Sequence, residues 1–461
     1  MNRLPLLPPR HFIRLAARLS LLCLLGWATG CGDPPPLSSQ ELMDPAVCQS
    51  CHPQHYQQWS GSMHAYASED PVFQAMNARG QRETGGALGD FCVRCHAPVA
   101  VQMGATRDGL NLSSLPSPLR GVTCYFCHQV TEVQGSHNNP LLLAQDSTMR
   151  GAYGEPLRAL SHRSAASPLH DRTGHDSAQL CGSCHDVVTP APLSVPLERS
   201  YVEWQASVFG NGQLKPGLTC GQCHMPGREA PIAAVLNAPT RTLHDHSMPG
   251  VDLALSPFPE RTAQRQAVQR DLDTAVAAKL CVTPDGAGLV AEVTLDNAGA
   301  GHSFPSGAAH DRRAWVELSA FNAGGLVFQS GGVPEGQAVV DSAMSDPNLW
   351  LLRDRVYTTA GKEAHMFWDV ARIESELLPA AVTSDRSDPR YFHAVRRSYR
   401  LPTRAVDRIA LRLRMRPIDH DVLKDLVASG DLDDALRGQL PTFTLAGTQL
   451  EWRKDGPSCV P

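Results

Sequence analysis

Hydrophobic positions divide the chain into unlike stretches. From residue 45 to about 250 no long periodic pattern appears, and the segment is rich in Gly, Pro, His and Ser, so side chains alone cannot build an ordinary core there. Two short stripes stand out within it. Tyr56, Trp59 and Ser62 recur at three-residue steps, and the same Tyr-x-x-Trp-x-x-Ser spacing returns at Tyr201, Trp204 and Ser207, each placing its aromatic groups on one helical face. Residues 262–280 read as a helix, and after them the period changes. Leu289, Ala291, Val293 and Leu295 alternate with polar residues, as do Ile409, Leu411, Leu413 and Met415, which is the signature of half-buried strands. Residues 314–320 and 326–330 flank Asn322-Ala-Gly-Gly325 as a hairpin. The pattern predicts a short-helix and loop domain at 45–255, a helical linker at 256–284, an all-β, sandwich-like domain at 285–420, and a polar helix and tail at 421–461.

The N-terminus reads as an address. A basic stretch precedes the apolar run Leu19 to Trp27, far shorter than the roughly 20 residues that span a bilayer. The run ends in Ala28-Thr29-Gly30-Cys31, which resembles a bacterial lipoprotein cleavage site, with residues 1–30 as signal and Cys31 as the lipidated residue. Ala28 replaces the usual leucine, which leaves ordinary signal cleavage as the alternative. Residues 31–44, with Pro34-Pro35-Pro36, suit a tether. Either route exports the chain, and lipidation would hold it at the periplasmic face of the inner or outer membrane, or at the cell surface. Net charge is −5, and removing Arg3, Arg10, Arg14 and Arg18 leaves 37 basic against 46 acidic residues. That balance excludes nucleic acid as a partner and points to redox donor and acceptor proteins that are neutral or basic.

Fourteen cysteines in an exported chain would ordinarily mean disulfides, but their spacing says otherwise. Ten fall in five copies of Cys-x-x-Cys-His: Cys48, Cys51 and His52; Cys92, Cys95 and His96; Cys124, Cys127 and His128; Cys181, Cys184 and His185; Cys220, Cys223 and His224. Two thiols at this spacing each form a thioether to one porphyrin, and the adjacent histidine becomes the axial ligand of its iron. Zinc would need ligands converging in fours, and a thioredoxin-like site would need one motif in a βαβ frame. Five covalently attached haems c are therefore expected, their porphyrins supplying the apolar surface that residues 45–255 lack. Cys23 leaves with the signal. Cys281 and Cys459 remain, either as a bridge between the β domain and the tail or as two free thiols.

An electron carrier closes both faces of its haem, whereas a catalytic haem leaves one open. Thirteen further histidines follow the signal: His55, His64, His137, His162, His170, His175, His244, His246, His302, His310, His365, His393 and His420. Tyr56-x-x-Trp59-x-x-Ser62-x-His64 resembles the multihaem cytochrome c superfamily that includes hydroxylamine oxidoreductase and the tetrahaem carriers of ammonia oxidisers. The resemblance implies that His64 is a distal ligand to another haem, with His162 and His246 at similar positions. Asn297-Ala-Gly-Ala-Gly301-His302-Ser-Phe-Pro305-Ser-Gly307 resembles an element of β domains appended to such cytochromes, making His302 either a fourth distal ligand or a turn histidine. His137, His170, His175 and His244 compete for the fifth haem. No Cys-x-x-Cys-Lys occurs, and no cross-linking tyrosine is identifiable. The sequence thus favours an electron carrier over an enzyme. The rival is a reductase of a small nitrogen or sulfur oxyanion at one five-coordinate haem, with Arg94, Arg150 or Arg163 attracting the anion. A third reading makes the β domain a docking module.

Overall fold

The computed structural model describes residues 36–153 and 161–461. The expected signal, with Cys31 and the rest of residues 31–35 of the tether, lies outside those residues. Residues 37–44, expected in the tether, are folded against the domain instead. Ser38 and Glu41 form a capping box for a short helix at Ser39–Leu42, Leu42 is buried, and the Leu37 amide donates to the Ser161 carbonyl at 2.8 Å.

Short helices and two-stranded ribbons make up the N-terminal part. The longest helices there are α1 (Pro53–Ser60) and α2 (Pro71–Glu83), followed later by α3 (Ser200–Ala206). Ribbons pair Val130–Val133 with Leu141–Leu143 and Gly227–Pro231 with Thr240–His244. Apolar side chains gather here only in small clusters, such as Phe73, Val93, Ala97, Ala100, Leu112 and Leu115.

The helix expected over 262–280 runs only as α4 (Arg261–Ala275), and the chain then extends as β1 (Ala277–Asp285). Ala-Ala-Lys-Leu favours helix, but Ala278, Leu280 and Val282 alternate and bury one face, so packing overrides propensity. Next come β2 (Gly288–Asp296), β3 (Arg313–Asn322), β4 (Gly325–Ser330), β5 (Val395–Leu401) and β6 (Arg408–Arg416). One antiparallel sheet has the order β5-β2-β1 and ends on the tail strand β7 (Cys459–Val460). A second centres on β4-β3-β6. The hairpin turns as expected, with Asn322 opposite Gly325. Leu280, Val293, Leu295 and Tyr399 of the first sheet share one core with Val316, Leu318, Leu411 and Leu413 of the second. The strands thus extend beyond the 285–420 window, because Cys459 pairs with Cys281 and the two are disulfide-bonded.

The C-terminal helix α5 (His420–Ala428) is not simply polar. Val422, Leu423 and Leu426 are fully buried against Val72 and Ala75 of α2, so α5 clasps the β region onto the N-terminal part. Charges reinforce the clasp: Arg313 bonds Asp421 at 2.6 Å, His365 meets both Asp421 and Asp425, Arg79 reaches Asp425 and Arg82 bonds Asp431. Hydrogen bonding to Asp421 raises the His365 pKa, with burial opposing. Burial alone would push Asp421 up, but His365 and Arg313 more than offset it and hold the carboxyl below the usual range. The His365 contribution is therefore complete below about pH 6.5 and fades as pH rises through its raised pKa, while that of Asp421 is complete above about pH 4 and fades in acid. Thermal stability is expected to fall as pH rises above about 6.5 and through the raised pKa of His365, and H365A to flatten that decline. An unchanged alkaline slope in the variant would show that His365 plays no part in it.

Candidate functional site

Each Cys-x-x-Cys-His segment forms one helical turn. In the first, second and fourth copies, the histidine amide bonds the carbonyl of the first cysteine four residues back, at 2.7, 3.2 and 3.1 Å, so cysteine and histidine share one face. Thr123 and Thr219 cap the third and fifth turns. All ten motif cysteines and all five motif histidines line one continuous cavity of about 2050 Å³. That exceeds the roughly 300–1,000 Å³ of an ordinary small-molecule pocket at least twofold. Among the described residues, no three His, Cys, Asp or Glu side chains converge on a point that could hold an ion.

The imidazoles are oriented for metal. His52, His96 and His224 donate from Nδ1 to the carbonyls of Ile232, Ala67 and Pro249 at 3.0, 3.0 and 2.8 Å, and His128 donates likewise to Arg150. Such bonds fix the tautomer and leave Nε2 free. Three motif histidines have a candidate distal imidazole within 6.4 Å, and two further rings stand nearer still, His55 at 6.0 Å from His52 and His170 at 5.4 Å from His128. Ring centroids lie 6.4 Å apart for His52 and His162, 6.4 Å for His128 and His246, and 6.1 Å for His185 and His64. A metal–imidazole bond is about 2 Å, so two rings on opposite faces of one iron stand with centroids about 6 Å apart. His162 and His246 donate from Nδ1 to backbone carbonyls at 3.0 and 2.8 Å, again freeing Nε2. Burial holds His64, His185 and His246 down at about 4, in the neutral form that binds iron. These residues fit haem.

The sequence echo has a structural meaning. The Trp59 indole donates to the Val122 carbonyl at 2.7 Å and that of Trp204 to the Leu218 carbonyl at 2.8 Å, in each case two residues before a motif cysteine. Ser62 caps the turn that carries His64. In the second copy Phe209 stands where His64 stands in the first, a difference legible in the sequence that spacing alone did not bring out. Phe209 packs beneath Gly301, and the next residue, His302, enters the cavity. His302 is buried close to His224, with Nδ1 bonded to the Ser303 carbonyl at 2.9 Å. Glu203 on α3 holds this loop by accepting from the Ser303 amide at 3.1 Å and the Ser306 hydroxyl at 2.8 Å.

His96 and His224 have no facing histidine ring of this kind among the described residues; His302 lies beside His224, whereas Phe73 stacks flat on His96 at 3.9 Å. Of the four competitors for a fifth haem, His137 and His175 are exposed. His170 spends its Nε2 on the Cys127 carbonyl at 2.8 Å, and His244 lies beside Asp171 and Arg172. The candidate anion-attracting arginines are committed too: Arg94 to Asp90 and Arg150 to Asp146, while Arg163 is exposed. Cysteine neighbours relate the five sites. Cys48 meets Cys124, Cys127 lies near Cys181 and Cys184, Cys95 meets Cys184, and Cys181 meets Cys220.

Residues 47–129 match the family model "Cytochrome c554 and c-prime". The fold resembles the crystal structure of a penta-heme cytochrome c552 from Thermochromatium tepidum, with a TM-score of 0.61 at 18% identity, covering 88% of this chain and 98% of that one. No curated protein matches the chain. The structural likeness shows a shared fold, and the family match covers the segment that holds the first three Cys-x-x-Cys-His turns.

Proposed function

We propose that this chain carries five covalently attached haems c, one at each Cys-x-x-Cys-His segment, and relays single electrons between redox partner proteins. The opposed imidazoles carry the reading. His162, His246, His64 and His302 are the distal ligands of the haems at His52, His128, His185 and His224, and His302 brings the β region into the relay. Cysteine proximity supports the order 52, 128, 185, with the haem at His185 adjoining both the haem at His96 and that at His224. The basic and apolar N-terminal pattern supports export, with Cys31 as lipid anchor at the periplasmic face of a membrane.

A second reading is favoured by one observation: of the two motif histidines without a facing ring among the described residues, His224 has His302 beside it, whereas His96 has Phe73 stacked flat on it. A haem there would be five-coordinate and open to a small ligand, as a reductase requires. Pyridine haemochrome absorbance with EPR of the oxidised protein tests both readings. Five haems per chain with four low-spin signals and one high-spin signal are expected. Fewer haems would overturn the cofactor count, and five low-spin signals would exclude the open centre and leave a pure carrier.

A further inference from the structure

We propose that the exposed Phe392 and the cations round it form a docking surface for an acidic redox protein, which exchanges electrons with the haem at His224. The inference rests on the five-haem relay reading.

The site at His224 opens to solvent, and Cys223 is the only exposed one of the ten motif cysteines. Two loops frame it. Residues 208–218 lead into the Cys220 turn, and residues 381–393 run along them. The Val208 amide donates to the Ala381 carbonyl and the Asn211 side chain to the Val382 carbonyl, both at 2.8 Å, and the Ser384 hydroxyl donates to the Gln213 side chain at 3.5 Å. At its far end the second loop is held by His393, which meets Asp296 at 2.9 Å. The next residue, Asn297, donates to the His302 carbonyl at 2.7 Å. Segment 381–393 is thus tied on one side to the approach to the motif and on the other to the loop that carries His302.

Phe392 stands out from this segment at 76% exposure. It does not line the haem cavity, so no porphyrin would cover it. A large aromatic side chain left in water beside arginines is the residue pattern on which binding energy concentrates at protein interfaces. The charge of the partner follows from the cations. Lys215, Lys279, Arg386 and Arg396 are exposed and make no ion pair among the described residues, whereas Arg390 is held by Asp388 and Arg400 by Asp285. The contact between Gln213 and Ser384 brings Lys215 and Arg386 together, each two residues further on. Lys279 on β1 and Arg396 on β5 flank Thr294 of β2, so they share one face of the first sheet. The carboxylates of the patch are already engaged: Asp385 by Ser387, Asp388 by Arg390 and Asp296 by His393. Anions are matched and cations are left over, which reverses locally the net charge of −5 and favours a partner with carboxylates round an apolar centre.

Reduction of the oxidised holoprotein by the hydroquinone of flavodoxin, an acidic one-electron donor, tests this. Each encounter takes one electron from the flavin hydroquinone anion, leaves the neutral semiquinone and turns one ferric haem ferrous, with no proton released. The second-order rate is expected to fall about tenfold from low to high salt. R386E combined with R396E should lower the low-salt rate about tenfold and flatten its salt dependence, and F392S should lower the rate about tenfold at both salts. Calorimetric titration with oxidised flavodoxin should rank the proteins in the same order, and that reading is independent of haem content. A rate that does not fall with salt, or variants that leave rate and affinity unchanged, would overturn the proposal. So would variants that lose binding to phosphatidylglycerol vesicles and keep flavodoxin affinity, because the patch would then serve lipid. Loss of affinity without loss of rate would overturn electron exchange at His224. Fewer than five haems with flavodoxin binding intact would defeat the five-haem reading and leave the docking surface standing.

Discussion

Replacing His64 with methionine is expected to raise the reduction potential of one haem in five by at least about 59 mV, a tenfold change in a one-electron equilibrium constant. Methionine in place of histidine favours the reduced iron, and His64 stands 6.1 Å from His185 across the most connected of the five sites. Raising the potential there makes that haem a sink. Electrons from the haem at His52 should then stall before reaching either neighbour beyond it. Spectroelectrochemical titration would show one wave displaced, and rapid-mixing reduction would show the stall. Five unshifted waves would mean that His64 does not ligate. Methionine fills the same space and helix position, so loss of the fold is not the expected outcome.

Asp421→Ala is expected to destabilise the protein by about 3–5 kcal/mol, because it strands the Arg313 guanidinium without its partner. Arg313 is fully buried and its bond to Asp421 is 2.6 Å long. The loss also reaches His365, whose raised pKa depends first on Asp421. Guanidinium unfolding of the holoprotein followed by near-ultraviolet circular dichroism measures it. A change under about 1 kcal/mol would mean that solvent replaces the carboxylate, and that the clasp between α5 and α2 rests on Val422, Leu423 and Leu426 alone.

The five Cys-x-x-Cys-His turns were legible because each is a contiguous pentapeptide complete within one helical turn. The pairing of ligands was not. His64 lies just after the first motif yet stands across from the histidine of the fourth, and His162 lies ahead of the fourth yet stands across from that of the first. Such pairings depend on how distant segments fold round large flat groups, and no periodicity records them. In the β region alternation found β2 and β6, since burial on one face imposes a period of two, and the Asn322-Ala-Gly-Gly325 turn found β3 and β4. Alternation missed β1, where strong helix formers mask the same period, and β7, too short to show one. Reading 421–439 as polar counted charges and overlooked that Val422, Leu423 and Leu426 fall on one side of a helix.

The site at His185 adjoins three others through its two cysteines, so with haems in place the five centres form a junction and not a wire. A wire delivers one electron and waits for the next donor encounter. A junction with closed arms can hold several at once and release them down its third arm in quick succession. In the proposed five-haem protein the arrangement is a small reservoir that can hand electrons to one arm in quick succession.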